Sequence, residues 1–442
     1  MSDATGALSA KLERLYDRQS AGIKFGLETV QALLASMGNP ERAFAAVHVA
    51  GTNGKGSVCA MLEAILRTSG LRTGIYTSPH LVRFNERIRV DGRCIGDAEL
   101  AELFSEIERR DQDLAARPGG RANTFFEFTT ALAFEYFHRR EVPVAVVETG
   151  LGGRLDATNV VLPVLSVITP IGIEHTQYLG KDLASIATEK GGIIKPGRPV
   201  VCAGMEPEAL AVLRRIAQEQ GSRLVVADDA VSVRRLSQDA RGQKVRIESA
   251  GADLGTVRLP LLGRHQLANC VTAIAAVEEF GAATGVTVPP DSIKAGLEHT
   301  VWPGRLQVLA EEPLTILDGG HNPSAAAALA DALRELAGRR PLGLVVGMCT
   351  DKDAFGFLRA FSRNVKRCWC VPLRTERGMV PGNLARLAGG LGWKATEGAL
   401  DVALQEAQEW ARTNGGAVCI AGSLFLVGEV LERMPEANPF CA

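Results

Sequence analysis

With 442 residues the chain is long enough for two or three domains and a large buried core. Its 50 acidic and 49 basic residues nearly cancel, so neither a polyanion-binding face nor a nucleic-acid partner is expected. Nine scattered cysteines without a C-x-x-C pair read as reduced core residues. There is no apolar signal core at the start and no run of about 18 apolar residues later, so a cytoplasmic protein, neither secreted nor membrane-spanning, is expected.

In chain order, "AFAAVHVA" (43–50) reads as a buried strand, "GTNGKGS" (51–57) as a glycine-rich loop and "SVCAMLEAILRTSG" (57–70) as a helix stopped by Gly70. The loop residues Gly51, Thr52, Asn53, Gly54, Lys55, Gly56 and Ser57 have the makings of a phosphate cradle. The glycines let backbone N–H groups approach an anion, Lys55 neutralises outer phosphates and the Ser57 hydroxyl suits Mg²⁺. The spacing departs from the usual G-x-x-x-x-G-K-[ST], because Val49 replaces the first glycine and Gly56 separates the lysine from the hydroxyl.

"YTSPHL" (76–81) forms a polar turn after a strand-like "TGIY", and "NTFFEFTTALAF" (123–134) a buried helix. "VPVAVVETG", "VLSVITP" and "RPVVCAG" are further buried strands, so a mostly parallel sheet covered by helices is expected. Glu148 then lies at a strand's carboxyl end, where open α/β sheets bind ligands, and its carboxylate suits a metal. The glycines that follow fail the dinucleotide fingerprint, since Leu155 stands at its third position. His175 follows another strand end. Asp182 caps a helix that stops at Gly191 with Lys190 in its last turn, a place that the helix dipole alone favours for a lysine.

Residues 225–260, including "RLVVADD", read as a small antiparallel insert, and "LEHTVWPGRLQVL" (297–309) as a linker. Beyond it a second βα series predicts a smaller doubly wound, Rossmann-like domain. The expected division is 1–298, a large P-loop domain, and 299–442, the smaller domain. Asp318 at a strand end reads by itself as a cap for the next turn.

Taken together these stretches resemble the folate branch of the Mur ligase superfamily, the folylpolyglutamate and dihydrofolate synthases. The resemblance rests on G-T-N-G-K-G-S, T-S-P-H-L with N-E-R-I, F-E-x-x-T, E-T-G-L-G-G-R-L-D-A-T, I-G-I-E-H, E-K-G-G-I-I-K, G-R-H-Q-L-A-N, W-P-G-R, L-D-G-G-H-N-P and G-M-C-T-D-K-D, in the family's order from about residue 24 to 427. Two positions depart from the pattern, with Glu174 for the usual Asp and Gly320 for the usual Ala.

The resemblance implies that Ser78 and Glu148 bind magnesium and that His175 binds a second ion. It also implies a carbamate on Lys190 and Asn269 at the adenine side of ATP. Arg305, Asp318 and His321 are expected to face ATP, with the smaller domain bringing L-glutamate, while His80, Phe126 and Asp156 lie on the substrate side. The implied activity joins L-glutamate to dihydropteroate, to a reduced folate, or to both, through an acyl phosphate, using ATP and two Mg²⁺ ions. Partners are then small molecules, and a monomer is expected. A Mur-type ligase acting on a UDP-linked murein precursor is the nearest alternative, although such a ligase is expected to carry a further N-terminal domain and about forty residues precede the first strand here. A P-loop switch without ligase chemistry is another, but it leaves the metal residues and second-domain motifs unexplained.

Overall fold

The computed structural model describes residues 2–18, 22, 24, 26–249, 251–361 and 365–440. An eight-stranded sheet holds the first region: β1 (Ala45–Ala50), β2 (Thr73–Tyr76), β3 (Ile88–Val90), β4 (Arg93–Cys94), β5 (Val144–Glu148), β6 (Leu165–Ile168), β7 (Val200–Cys202) and β8 (Leu224–Val226), in the order β4-β3-β2-β5-β1-β6-β7-β8. From β2 to β8 every pair is parallel. β1, β5 and β6 are almost wholly buried Val, Ile, Leu and Ala, as strands covered on both faces must be. The hairpin of β3 and β4 adds an antiparallel edge that sequence reading had not placed.

Helix Lys55–Thr68 packs on this sheet beneath helices Arg264–Thr284 and Pro290–Glu298, and Val58, Met61, Leu62 and Ile65 join Val47, Val49 and Val146 in one core. The expected insert is present as β9 (Val231–Asp239), β10 (Gly242–Ser249) and β11 (Asp253–Leu259), an antiparallel sheet. Its inward residues Val245, Ile247, Val257 and Leu259 share that same core. One expectation is corrected: "RLVV" does not belong to the insert. Leu224–Val226 pairs in parallel with β7, because its apolar run follows the crossover helix Pro207–Glu219, and the chain turns outward only at Ala227–Ala230.

The second region has six strands: β12 (Gln307–Glu311), β13 (Leu314–Leu317), β14 (Leu342–Val346), β15 (Val365–Cys370), β16 (Lys394–Glu397) and β17 (Ala417–Ala421), ordered β12-β13-β17-β14-β15-β16 and parallel except for β12. β16 was not legible in sequence, since its residues are exposed or half-buried and carry no alternation. Eight cysteines are free thiols, all buried except the half-buried Cys94, and Cys441 lies outside the described residues. Among the described residues no helix is long and apolar enough to cross a membrane.

Candidate active site

The parallel strands β2, β5, β1 and β6 release their chains at one edge of the sheet, at Thr77, Thr149, Gly51 and Thr169, and this edge forms the floor of the main cleft. The loop after β1 turns into helix Lys55–Thr68 at Gly54, whose φ of 88° is left-handed. The left-handed conformation favours glycine, and a methyl there would lie 2.3 Å from Asn269 Oδ1 and push that side chain aside. The helix start carries no side-chain cap. Its first N–H groups are therefore available to an anion.

Two other helices begin at the same cleft. His265, Gln266 and Asn269 open helix Arg264–Thr284, and Asn322, Ser324 and Ala325 open helix Pro323–Ala337. Gln266 donates to Ser57 Oγ at 3.2 Å and Asn269 donates to Gln266 at 2.9 Å, locking the second helix onto the loop. From the smaller domain Asn322 donates to Asn53 Oδ1 at 3.3 Å. Three positive dipole ends thus converge on a cavity of about 380 Å³.

Lysines reinforce that field. Lys55 Nζ donates to the carbonyls of Gly51 (3.2 Å) and Thr52 (3.3 Å), and Lys190 Nζ donates to the same Gly51 carbonyl at 2.7 Å. Burial, and then the neighbouring charge of Lys55, pushes the Lys190 amine down to about 7. Glu148 is buried at the end of β5 and accepts the Ser78 N–H at 3.0 Å. Burial raises its carboxyl, against the opposing pull of Lys55, the Ser78 amide and Arg305.

Glu174, the residue standing where the family has Asp, meets two imidazoles and an ammonium: His175 Nε2 at 3.4 Å, and across the cleft His321 Nε2 and Lys352 Nζ, each at 3.6 Å. Burial would raise its carboxyl, but His321, His175 and Lys55 together hold it well below the ordinary range. His175 itself is pushed down to about 4 by burial, with Lys352, Lys190 and Lys55 adding to the effect. Sequence reading gave Glu174, Gln266, His265 and Lys352 no role. Only the spacing of Gln266 and Asn269, three apart on one helical face, signalled that both point to one place.

All the predicted nucleotide and metal residues line this one cleft: Gly51 to Ser57, Ser78, Glu148, His175, Lys190, Asn269, Arg305, Asp318 and His321. The cap that its position alone suggested for Asp318 is corrected: Asn322 caps the next helix, accepting the Ala325 N–H at 2.8 Å, while the Asp318 carboxylate accepts the N–H groups of Leu306 (2.8 Å) and Gly320 (2.7 Å) and so ties the loop. The three substrate-side residues stand behind the cleft. Phe126 packs against Gly150. His80 accepts from Arg87 Nε at 2.8 Å, and burial with that charge pushes its imidazole down to about 3, leaving it neutral. Asp156 is engaged within its own loop, accepting N–H groups of Leu151 (2.8 Å) and Thr158 (3.0 Å).

This combination of a P-loop sheet, a second Rossmann-like sheet and a cationic cleft between them is the layout of a Mur ligase. Residues 49–277 match the Mur ligase middle domain and residues 304–424 the Mur ligase glutamate ligase domain. The chain is 34% identical to folylpolyglutamate synthase of Lacticaseibacillus casei over 92% of its own length and 93% of that protein's. It is also 34% identical to dihydrofolate synthase/folylpolyglutamate synthase of Escherichia coli, over 97% and 96%. Among solved structures it is similar to Mycobacterium tuberculosis folylpolyglutamate synthase complexed with ADP (TM-score 0.91, 32% identity, 98% and 99% of the two chains) and to E. coli FolC in complex with DHPP and ADP (TM-score 0.86, 32% identity, 97% and 98%). The chain belongs to the folylpolyglutamate synthase/dihydrofolate synthase family of Mur ligases.

Proposed function

We infer that the protein joins L-glutamate to dihydropteroate and to reduced folates, using ATP and releasing ADP and phosphate. The convergence of three helix N-termini, Lys55, Lys190 and Arg305 on one cleft carries this reading, because it is a field built for a polyphosphate. The substrate carboxylate first attacks the γ-phosphorus of ATP, and ADP leaves. The glutamate amine then attacks the acyl carbon, phosphate leaves and the amine proton passes to solvent.

Phosphoryl transfer asks the protein mainly for positioning and charge neutralisation. Lys55 and the loop N–H groups supply both to the phosphates. Asn269 is assigned to the adenine side, and Arg305 and His321 to ATP, with Asp318 fixing the loop between them. His80, Phe126 and Asp156 are assigned to the substrate side, His80 and Asp156 acting through the walls they hold in place.

The donor set suits magnesium. Ser78, Ser57 and Glu148 offer oxygen, and His175 offers an imidazole that its low basicity keeps neutral. Among the described residues no three His, Cys, Asp or Glu side chains are arranged to hold a metal ion by themselves, so two ions here would complete their shells with phosphate oxygens and water, as Mg²⁺ commonly does. When bound, Mg²⁺ would offset phosphate charge.

Lys190 is assigned a carbamate. A buried amine titrating at about 7 is substantially neutral at physiological pH, and the neutral amine is the form that adds CO₂. The neutral fraction grows as pH rises through about 7, so carbamylation is favoured between about pH 7 and 8 over pH 6. Protein equilibrated with ¹³CO₂ at pH 8 is expected to show one carbamate carbon resonance that is absent in Lys190→Arg; a spectrum identical in both would remove the assignment.

The function is tested by phosphate release from ATP and Mg²⁺ with L-glutamate present, adding dihydropteroate, tetrahydrofolate or neither. Stimulation by both is expected. No stimulation by either would overturn the reading.

A further inference from the structure

The segment after helix Leu424–Arg433 leaves its own domain and returns to the large one. The Ala437 carbonyl still accepts from Gln307 Nε2 of its own domain at 2.6 Å; beyond it, buried Asn438 reaches Glu86 Oε1 of the large domain at 3.4 Å, and the Phe440 carbonyl lies 3.8 Å from Cys94 Sγ. Glu86 is itself the organiser of the loop after Ser78, its carboxylate accepting the N–H groups of Leu81, Val82 and Arg83. The segment therefore grips the loop that carries a predicted metal residue.

Its ring contacts reach further. The Arg89 guanidinium lies 4.2 Å from the Phe440 ring centroid and 5.4 Å from that of Trp302, and the two rings are 6.4 Å apart at 65°. Arg89 is only 4% exposed, and its Nε has no hydrogen-bond acceptor among the described residues. Aromatic faces, together with the charges of Glu63 and Glu86, supply the environment that this buried cation needs. Trp302 in turn rests on the P-loop: a methyl on Gly56 would lie 2.4 Å from its Cζ2. A cavity of about 40 Å³ is bounded by Phe440, Trp302, Gly56, Ser78, Glu148 and Arg305. That is room for a few water molecules at most.

We propose that Phe440 is a positioning residue for the ligation: through Arg89 and Trp302 it seats the P-loop at Gly56, and it walls the flank of the reaction centre beside Ser78 and Glu148 against water. This rests on the ligase reading above. With the wall in place the acyl phosphate meets the glutamate amine. Without it, water attacks instead: its oxygen bonds to the acyl carbon, the bond to phosphate breaks, a proton goes to solvent, and the starting carboxylate returns with ATP hydrolysed and no amide made.

The test compares phosphate released with radiolabelled glutamate incorporated, in the full chain carrying Phe440→Ala, Phe440→Leu or Phe440→Tyr. In the parent the ratio is expected to be about one, since each amide consumes one γ-phosphoryl group. Phe440→Ala is expected to raise it at least about threefold and to lower kcat roughly tenfold with little change in KM for ATP, as misplacement of reacting groups does. Phe440→Tyr keeps the ring face and should restore the parent ratio; Phe440→Leu keeps bulk alone and should fall between. If Phe440→Ala does not fold, the leucine ratio decides in its place. A ratio that stays at the parent value while the melting temperature drops would overturn the proposal and leave the segment a purely structural brace. A parent enzyme that releases no phosphate in dependence on glutamate and pteridine substrate would instead overturn the ligase reading, and with it this proposal.

Discussion

Lys55→Ala is expected to lower turnover by about 10²–10³-fold, equivalent to roughly 3–4 kcal/mol of barrier, while the protein remains folded. The ammonium is placed at the mouth of the loop between β1 and the following helix, and among the described residues its hydrogen bonds go to the loop carbonyls of Gly51 and Thr52. Losing those two hydrogen bonds on a partly open loop costs about 1 kcal/mol each at most, a small part of a domain's stability. The penalty should therefore appear in chemistry and in nucleotide affinity, not in folding. Steady-state phosphate release, an ADP titration and a thermal melt separate the three; retention of more than about a tenth of turnover would show that the helix N-termini suffice without the lysine.

Glu148→Gln should be equally severe in turnover, about 10²–10³-fold, but for a different reason. Gln is nearly isosteric, and its amide oxygen still accepts the Ser78 N–H that now comes at 3.0 Å, so the β2 and β5 strand ends remain joined. What disappears is one negative charge in a cleft crowded with Lys55, Lys190 and Arg305. Nucleotide affinity measured without magnesium should hold or rise, because the anionic phosphates no longer face a carboxylate. The stimulation of binding and turnover by magnesium should collapse. A variant that kept the parent's magnesium dependence would remove Glu148 from the metal assignment.

Much of the site was legible because its residues sit in local patterns with local meanings. A buried Val/Ala strand followed by closely spaced glycines, a lysine and a helical apolar stripe is strand, loop and helix whatever surrounds it. Asp182 capping its helix and Lys190 in the last turn follow from hydrogen-bonding and dipole needs within a few residues. The family resemblance then tied those pieces to one chemistry, and the cleft contains every nucleotide and metal residue it named.

What could not be read depends on contacts between residues far apart in the chain. β16 carries no alternation, and its pairing with β15 rests on a neighbour placed by tertiary packing. Leu224–Val226 reads as part of the insert until β7 is seen beside it. The lowered basicity of Lys190 needs both burial and the approach of Lys55, 135 positions away, and helix spacing predicts neither. Glu174 becomes a bridge between domains only because the smaller domain sets His321 and Lys352 against it, and Phe440 becomes a wall only because its segment crosses back to Arg89 and Trp302. The sequence by itself determined which groups were available and on what kind of local element each would stand. Tertiary structure alone decided which of them share one partly buried, cationic space, because proximity, desolvation and mutual charge are properties of the packed arrangement and not of spacing along the chain.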